Sequence, residues 1–352
     1  MKKFLLQWLA IASLMAYAVG VHADGDVLAR IAHTTVLPGS GHSWGFAALD
    51  PTRPYLWIAR RDNGLTVFDV SRRQAVLTLA DSKGANAVAF VPGADRAYVA
   101  NTDGTLGVVR LSDMRMLKRL PLSDANLNSV LFEPVTGKVF ISSGRRAARS
   151  TIYMFDPASD RLVAQQDFDI KKIDPPLATG DGTLLVPMRD EDKVMRLSAA
   201  TLAVQATWSY AGCKKPSALA ADLRQHRLFV ACRGEQPVLV VAHLDTGVQI
   251  ASAPLGRAVN GLAYDARRHI ILAPSGADGN LTLLRQVDAD RYTPLGDVAT
   301  RSWAHNMAYD AGTGIAWLLA MDVTQPATPI GGTRPDPVFH ADTFTVLGVK
   351  VE

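Results

Sequence analysis

Three histidines near the two ends of the chain are the residues best suited to acid–base or metal chemistry. His42 has Trp44 close by, His305 has Trp303, and His340 lies in a stretch with several acidic residues. Those acidic residues are Asp322, Asp336 and Asp342. Converging imidazole and carboxylate groups could ligate a divalent metal ion or form a general acid–base pair. The alternative is that the tryptophans pack between structural elements while the histidines bond to loop backbone.

Basic residues form a second group, in the middle of the chain. The candidate anion-binding residues are Arg145, Arg146, Arg149, Lys172, Lys215 and Arg233, with Lys171 and Lys214 beside them. On one face they would suit an anionic ligand, a polyanion or single-stranded DNA. The acidic run at 190–192 and the lack of interleaved aromatic residues favour an ordinary solvated surface instead.

The two cysteines, Cys213 and Cys232, enclose a short loop. In an oxidising compartment they would form a disulfide, which would contribute about 3 kcal/mol to stability. Two free thiols or half of a metal site are the alternatives, but no histidine lies beside either cysteine and no Cys-x-x-Cys occurs. We therefore predict an intrachain disulfide that fixes this loop.

A repeated pattern shows which elements must position these residues. Each copy has a small apolar run, an acidic or turn residue, a short turn and then a β-rich run. The seven copies are Phe46–Arg60, Ala87–Asn101, Ser129–Ser143, Pro175–Met188, Ala218–Cys232, Gly261–Ser275 and Asn306–Ala320. Their turn positions recur every 41 to 46 residues. This period predicts an all-β protein, a seven-bladed β-propeller of four-stranded antiparallel blades.

The ends of the chain are expected to close the ring. The last copy is followed by a long excursion and a single strand, Thr343–Val351, so its blade lacks one strand. The β-rich run Val27–Leu37 has no partner ahead of it. We predict that it completes the last blade from the outside, which makes residues 24–352 one propeller domain.

The loops that lead into the innermost strands of a propeller share one face around the central channel, where ligands usually bind. Five residues before the turn positions lie Gly45, Asn86, Asn128, Asp174, Ser217, Asn260 and His305. These are ordinary residues for a strand start, but they also predict a polar ring at the channel mouth. The candidate ligand-binding residues are His42, Trp44, Asn86, Asn128, Asp174, Asn260, His305, Asn306 and His340.

One copy carries a family resemblance. Tyr98-Val99-Ala100-Asn101 resembles the repeat of the bacterial YVTN/YncE-like seven-bladed propellers, whose Tyr-Val-Thr-Asn signature follows a Pro-Asp-Gly-type turn. The other copies follow the repeat in outline and depart from the signature. The resemblance implies the propeller fold and a surface, periplasmic or DNA-binding role without a shared catalytic motif. Some related propellers are lactonases or lyases.

The first residues of the chain have the pattern of a secretory signal peptide. Lys2 and Lys3 precede an apolar run to Val21, and Val21-His22-Ala23 fits a cleavage site. We predict that residues 1–23 are removed after Ala23, although an uncleaved membrane anchor is the alternative. Cleavage lowers the formal net charge from +4 to +2. No later stretch is long enough for a membrane span, which predicts a periplasmic or secreted protein.

Three functions are consistent with these features. The favoured one is an exported, non-catalytic binding or scaffolding module: a monomeric propeller that holds a small molecule or protein on its loop-rich face. The second is a metal-assisted lactonase- or lyase-type enzyme that uses His42, His305 or His340 with a divalent ion. The third is a binder of single-stranded DNA or another polyanion through the loop that holds Arg145, Arg146 and Arg149.

Overall fold

Short runs rich in Val, Ile, Leu and Thr alternate with turns that contain Gly, Asp and Asn, and these runs form the strands. The structure is a computed structural model that describes residues 28–327 and 335–352. These residues form thirty strands and one short 3₁₀ helix, Arg189–Glu191. The predicted signal peptide, residues 1–23, lies outside the described residues. No helix of the described ranges is long and apolar enough to cross a membrane.

The strands are numbered in chain order and grouped into seven blades, with the innermost strand of each blade given first. Strand β1 is Ala29–Leu37, and blade 1 is β2 (Ala47–Leu49), β3 (Tyr55–Ala59), β4 (Leu65–Asp69) and β5 (Gln74–Thr78). Blade 2 is β6 (Ala85–Phe90), β7 (Arg96–Asn101), β8 (Thr105–Arg110) and β9 (Arg115–Pro121). Blade 3 is β10 (Leu127–Glu133), β11 (Lys138–Ser143), β12 (Ser150–Asp156) and β13 (Arg161–Phe168). Blade 4 is β14 (Leu177–Ala178), β15 (Thr183–Met188), β16 (Lys193–Ser198) and β17 (Val204–Ser209).

The second half of the ring follows the same plan. Blade 5 is β18 (Pro216–Asp222), β19 (Arg227–Cys232), β20 (Val238–His243) and β21 (Gln249–Pro254). Blade 6 is β22 (Ala263–Asp265), β23 (Ile270–Ser275), β24 (Asn280–Gln286) and β25 (Tyr292–Ala299). Blade 7 contains β26 (Asn306–Asp310) and β27 (Ile315–Ala320), then the small hairpin β28 (Val323–Thr324) and β29 (Val338–Phe339), and then β30 (Phe344–Val351).

Blade 7 closes the ring as predicted. Its strand order is β1-β30-β27-β26, so the N-terminal strand is the outermost strand of the last blade. The pairing is antiparallel and runs from Ala29 opposite Val351 to Leu37 opposite Phe344. The backbone of the first described strand is thus held by hydrogen bonds to the last one, and the predicted all-β, seven-bladed, four-stranded architecture is confirmed.

The apolar core is divided into seven clusters, and each joins two neighbouring blades. In the closing cluster, Trp317 and Phe344 of blade 7 pack with Ile58 and Phe68 of blade 1. Because each blade buries both of its faces, its middle strands are apolar on both sides, which explains why they lack simple alternation. The hydrophobic effect therefore holds the ring together around its whole circumference.

The acidic residue that recurs in the repeats has a structural role. At the end of β2, Asp50 Oδ1 accepts hydrogen bonds from the backbone N–H groups of Thr52 and Arg53, at 3.0 and 3.1 Å. Asp265 Oδ1 does the same for Arg267 and Arg268, at 2.8 and 3.1 Å. A side-chain acceptor at this position fixes the turn between the first two strands. These turns lie at the opposite end of the innermost strands from the predicted ligand face.

Candidate functional site

The polar residues ahead of the innermost strands bind neighbouring blades to one another. Asn86 Nδ2 donates to the carbonyl oxygen of Leu127 at 2.8 Å, which joins blades 2 and 3. Ser217 Oγ donates to the carbonyl oxygen of Val259 at 3.0 Å, which joins blades 5 and 6. Part of the predicted ring is therefore a belt of blade-to-blade hydrogen bonds around the channel mouth.

The belt continues across the junctions on both sides of blade 7. Asn260 Nδ2 donates to Asn306 Oδ1 at 2.7 Å, and Asn306 Nδ2 donates to the carbonyl oxygen of Gly45 at 2.6 Å. Gly45 is required at its position because a Cβ there would lie 2.0 Å from the backbone oxygen of Asn86. Amides suit this belt because each can donate and accept at once.

A cavity of about 210 Å³ lies inside this belt. Its lining combines residues from six blades, namely Trp44, Gly45, Phe46, Arg61, Asn128, Lys172, Asp174, Arg189, Arg233, Asn260, His305 and Asn306. We call it the channel cavity. Most of the predicted ligand-binding residues line it, namely Trp44, Asn128, Asp174, Asn260, His305 and Asn306, whereas Asn86, His42 and His340 do not.

Three arginines reach the channel cavity from equivalent places in the repeat. Arg61, Arg189 and Arg233 follow the second strands of blades 1, 4 and 5 within two residues. The chain turns there towards the third strand, on the same face as the loops that lead into the innermost strands. Lys172 joins them from the loop ahead of β14. Four cationic groups thus face one cavity.

The channel cavity contains one carboxylate, that of Asp174. Arg189 Nε donates to Asp174 Oδ2, and Lys172 Nζ lies 3.7 Å from Oδ1. Among the described residues Arg61 and Arg233 form no salt bridge; their guanidinium groups bond to the neutral side chains of Asn86 and Asn260, at 3.0 and 3.2 Å. The cavity therefore has an excess of positive charge.

Burial of this excess positive charge costs free energy. It lowers the pKa of Lys172 to about 8 and that of Arg233 to about 10, and it also lowers the pKa of Arg61. Repulsion adds to the shift, since Arg189 lies near both Lys172 and Arg233. A cation taken out of water favours its neutral form unless an anion compensates it. An anion in the cavity would provide that compensation.

His305 has the electrostatics of a buried, neutral imidazole. Burial, helped by the nearby charges of Arg233 and Arg61, lowers its pKa to about 4. Its Nδ1 donates to the carbonyl oxygen of Trp303, at 2.6 Å, and its ring lies 5.4 Å from that of Trp44. At neutral pH His305 therefore adds no positive charge to the cavity.

The other two candidate histidines have partners of their own. His42 Nδ1 lies 2.8 Å from Asp62 Oδ2, and His340 Nε2 lies 2.9 Å from Thr324 Oγ1. Over residues 28–327 and 335–352, no three His, Cys, Asp or Glu side chains are grouped so that they could hold a metal ion. The structure does not bring His42, His305 and His340 into such a group.

The predicted basic group is divided by the fold. Arg146 bonds to Asn126 and to nearby backbone oxygens, and Arg149 Nε donates to Asp169 at 3.0 Å. Arg145, Lys215 and Arg233 instead line a second cavity, of about 390 Å³, together with Arg189 and Asp190. We call it the outer cavity.

The predicted disulfide is present and lies beside this charged region. Cys213 and Cys232 are bonded, with their Cα atoms 5.2 Å apart. Lys215 follows the first cysteine by two residues and Arg233 follows the second directly. The disulfide therefore ties the loop that holds Lys215 to the end of the strand that presents Arg233.

Arg61 and Arg189 are the cavity residues that the sequence reasoning missed. Arg61 forms only a pair with Arg60, and Arg189 is followed by the acidic run at 190–192, so neither attracts notice as part of a longer basic run. The signal that could have found them is their place in the repeat, shared with Arg233 just after the second strand. The repeat reduces the search for site residues to two places per blade, the start of the innermost strand and the end of the second strand.

A hydrolase-like pattern was missed as well. Gly41-His42-Ser43-Trp44-Gly45 spells Gly-x-Ser-x-Gly, which in α/β-hydrolases places a nucleophilic serine between a strand and a helix. Here the segment is a loop ahead of an innermost strand, and Ser43 Oγ accepts a hydrogen bond from Arg61 Nη1. An arginine partner cannot take a proton from the hydroxyl group, so within the described part of the chain Ser43 is not bonded to the general base that a serine nucleophile needs.

Solved structures with the same architecture were found. A chain of the mitotic checkpoint complex is 13% identical with a TM-score of 0.72, covering 91% of this chain and 96% of that one. The RRP9 WD40 repeats are 9% identical with a TM-score of 0.70, covering 90% and 97%. Hydrazine synthase of Kuenenia stuttgartiensis is 14% identical with a TM-score of 0.67, covering 86% and 96%.

These similarities establish a seven-bladed, WD40-like propeller and nothing finer, because identities this low show the fold alone. No family model matches the chain, and no curated protein matches it.

Proposed function

We propose that this propeller is a binding module that holds a small anionic molecule in the channel cavity. One observation carries the proposal: Arg61, Lys172, Arg189 and Arg233 meet in a partly enclosed cavity whose lining has a single carboxylate. Guanidinium groups recognise carboxylates and phosphates through paired hydrogen bonds, and burial strengthens each such contact.

A neutral donor supports the same ligand chemistry. Asn128 lines the channel cavity and is nine-tenths buried, and its Nδ2 has no hydrogen-bond partner among the described residues. A buried donor without an acceptor costs free energy. An anion beside Asn128 would satisfy this donor as well as the arginines.

The size of the cavity limits the ligand. Pockets for drug-sized molecules usually measure about 300–1,000 Å³, and the channel cavity is about 210 Å³. It has room for a carboxylate or phosphate group with a few attached atoms. A polymer such as single-stranded DNA would not fit inside it.

The proposal includes export to the periplasm or the cell exterior. Residues 1–23 have the charge and apolar pattern of a signal peptide, and a disulfide is expected in an oxidising compartment. Membership of the YVTN/YncE-like family, and action as a monomer, are part of the same proposal. The mass of the protein recovered from the periplasm or culture medium tests cleavage after Ala23.

Calorimetric titration with inorganic phosphate at low ionic strength tests the binding function. We expect one site per chain, and Arg233→Gln should weaken binding at least about tenfold, since one buried charge-assisted contact is lost. The matched control is Arg72→Gln, which changes the net charge equally at a side chain that is 76% exposed and remote from the cavity. Absence of phosphate binding, or equal weakening in both variants, would refute the proposal.

A further inference from the structure

The channel cavity has a second cationic cavity next to it, and the two share residues. Arg189 and Arg233 line both the channel cavity and the outer cavity. The outer cavity adds Arg145 and Lys215, with Asp190 as its carboxylate. The two cavities together hold six cationic side chains and two carboxylates, Asp174 and Asp190. This local excess equals the formal net charge of the whole sequence, +4.

We propose that the two cavities form one bipartite site for a short molecule with an anionic group at each end, such as a bisphosphate or a phosphorylated carboxylic acid. This inference rests on the proposed function. One anionic group lies in the channel cavity, and the other lies in the outer cavity between Arg145 and Lys215. Arg189 and Arg233 stand between the two positions and contact both groups.

The outer cavity is a fixed part of the fold and not a group of loose surface chains. The backbone N–H of Lys215 donates to Asp192 Oδ1 at 2.8 Å, which holds Lys215 at a left-handed φ of 54°. Two residues earlier, Cys213 is tied to Cys232. Two independent restraints thus set the place from which the Lys215 side chain starts.

The charges of the outer cavity are only partly compensated. Arg145 donates to both oxygens of Asp190, at 3.1 and 3.2 Å, so this pair is close to neutral. Lys215 forms no salt bridge within the described ranges. Its neighbour Lys214 does, with Asp192 at 2.9 Å. The ammonium group of Lys215 is therefore the free charge that a second anionic group would meet.

The two arginines that line both cavities favour one ligand with two anionic groups over two separate anions. Arg189 is already bound to Asp174, and Arg233 offers one planar guanidinium to both cavities. Two unlinked anions on either side of it would repel each other and would each lose their own translational freedom. A covalent link between the two groups removes the second of these costs.

Calorimetry with two probes, inorganic phosphate and pyrophosphate, tests the bipartite site. In the wild-type protein we expect one pyrophosphate per chain, bound at least about tenfold more tightly than phosphate. Lys215→Gln should remove most of this gain and leave the affinity for phosphate within about twofold. The matched control is Lys214→Gln, next in the chain and equal in charge change, which should leave both affinities as in the wild type.

The outcomes separate this inference from the function on which it rests. If phosphate binds but pyrophosphate gains nothing, or if Lys215→Gln and Lys214→Gln behave alike, the bipartite site is refuted and the channel cavity remains a site for one anion. If phosphate does not bind at low ionic strength, the proposed function fails and this inference fails with it.

Discussion

Arg189 of blade 4 reaches across the channel mouth and donates from Nη2 to Oδ1 of Asn260 of blade 6, at 3.3 Å. The same oxygen accepts a hydrogen bond from Arg233 Nη1 of blade 5, at 3.2 Å. Two guanidinium groups thus share one neutral oxygen. A neutral amide offsets their mutual repulsion only weakly, so an anion at this point of the cavity would lower the free energy.

Replacing that oxygen by a charged one should close the site. In Asn260→Asp a carboxylate lies between Arg189 and Arg233 and neutralises the pair from within the protein. We expect the affinity for phosphate to fall at least about tenfold, because the ligand then competes with a built-in anion. Calorimetry measures the affinity, and circular dichroism checks the fold. Tighter or unchanged phosphate binding would contradict the role given to these two arginines.

The fold was predictable from the sequence because a propeller repeats its signal seven times. A single copy such as Pro175–Met188 is too degenerate to identify alone, but a common period makes the set unambiguous. The acidic turn residue is a local signal too, since Asp265 bonds to backbone only two and three residues ahead. Ring closure was predictable because the last blade lacks one strand and the N-terminal run has no partner. The disulfide was predictable because the first residues indicate export to an oxidising compartment.

The charged site was harder to predict because pairing in a ring joins residues that are distant in sequence. Arg145 looks like part of a free basic patch until the fold brings Asp190 to it from the next blade. Arg61 looks like one half of an ordinary Arg-Arg pair until the ring brings it to the same cavity as Arg189 and Arg233. Sequence locates the positions that surround the channel, whereas only the three-dimensional structure shows which charges are compensated there.

Lys172 should make anion binding depend on pH. Burial lowers its pKa to about 8, so the ammonium group is mostly charged at pH 7 and mostly neutral at pH 9. We expect the affinity for sulfate, whose own charge is constant over this range, to fall about tenfold from pH 7 to pH 9. Lys172→Met should bind sulfate weakly at both values. A wild-type affinity that stays level across the range would contradict this prediction.

His305 should make the fold less stable in acid. Its pKa is about 4 in the folded protein, against 6.5 in an exposed imidazole, so between these values only the unfolded chain takes up the proton. The free energy of unfolding should therefore decrease as pH falls from 6.5 to 4, by about 3 kcal/mol for this residue. Urea unfolding at several pH values measures the change.

Two variants test whether His305 causes the loss of stability in acid. His305→Gln lacks the titrating group, so the difference in unfolding free energy between it and the wild type should change over the same pH range. His42→Gln removes an imidazole that is 64% exposed and serves as the control for the loss of a histidine. Equal behaviour of the two variants would mean that burial of His305 is not the cause.

The disulfide should stabilise the fold and the outer cavity together. Replacing both Cys213 and Cys232 by Ala removes a cross-link between residues 19 apart, and the free energy of unfolding should fall by about 3 kcal/mol. Lys215 then loses one of its restraints, and pyrophosphate binding should weaken more than phosphate binding. A reductant should lower the wild-type melting temperature and leave that of the double variant unchanged; a shift in both would point to another cause.

Asp265 offers a test that separates stability from binding. Burial by itself would raise the pKa of this carboxyl group, but hydrogen bonds from Tyr309, Arg267 and Arg268 outweigh that effect and hold the pKa below its ordinary value. The stabilisation is therefore present at neutral pH and is lost as the pH falls through the lowered pKa. Asp265→Asn should reduce the free energy of unfolding by about 2–3 kcal/mol at pH 7.

The same substitution at the equivalent turn of the next blade is its control. Asp310 accepts hydrogen bonds from the backbone N–H groups of Gly312 and Thr313, and an asparagine oxygen can accept the same bonds. Among the described residues Asp310 forms no salt bridge that the substitution would remove. Asp310→Asn should cost less than about 1 kcal/mol. Both turns lie at the far end of the innermost strands from the channel cavity, so neither variant should alter the affinity for phosphate at temperatures where it is folded. A loss of affinity in folded Asp265→Asn would show that the two ends of the propeller are coupled.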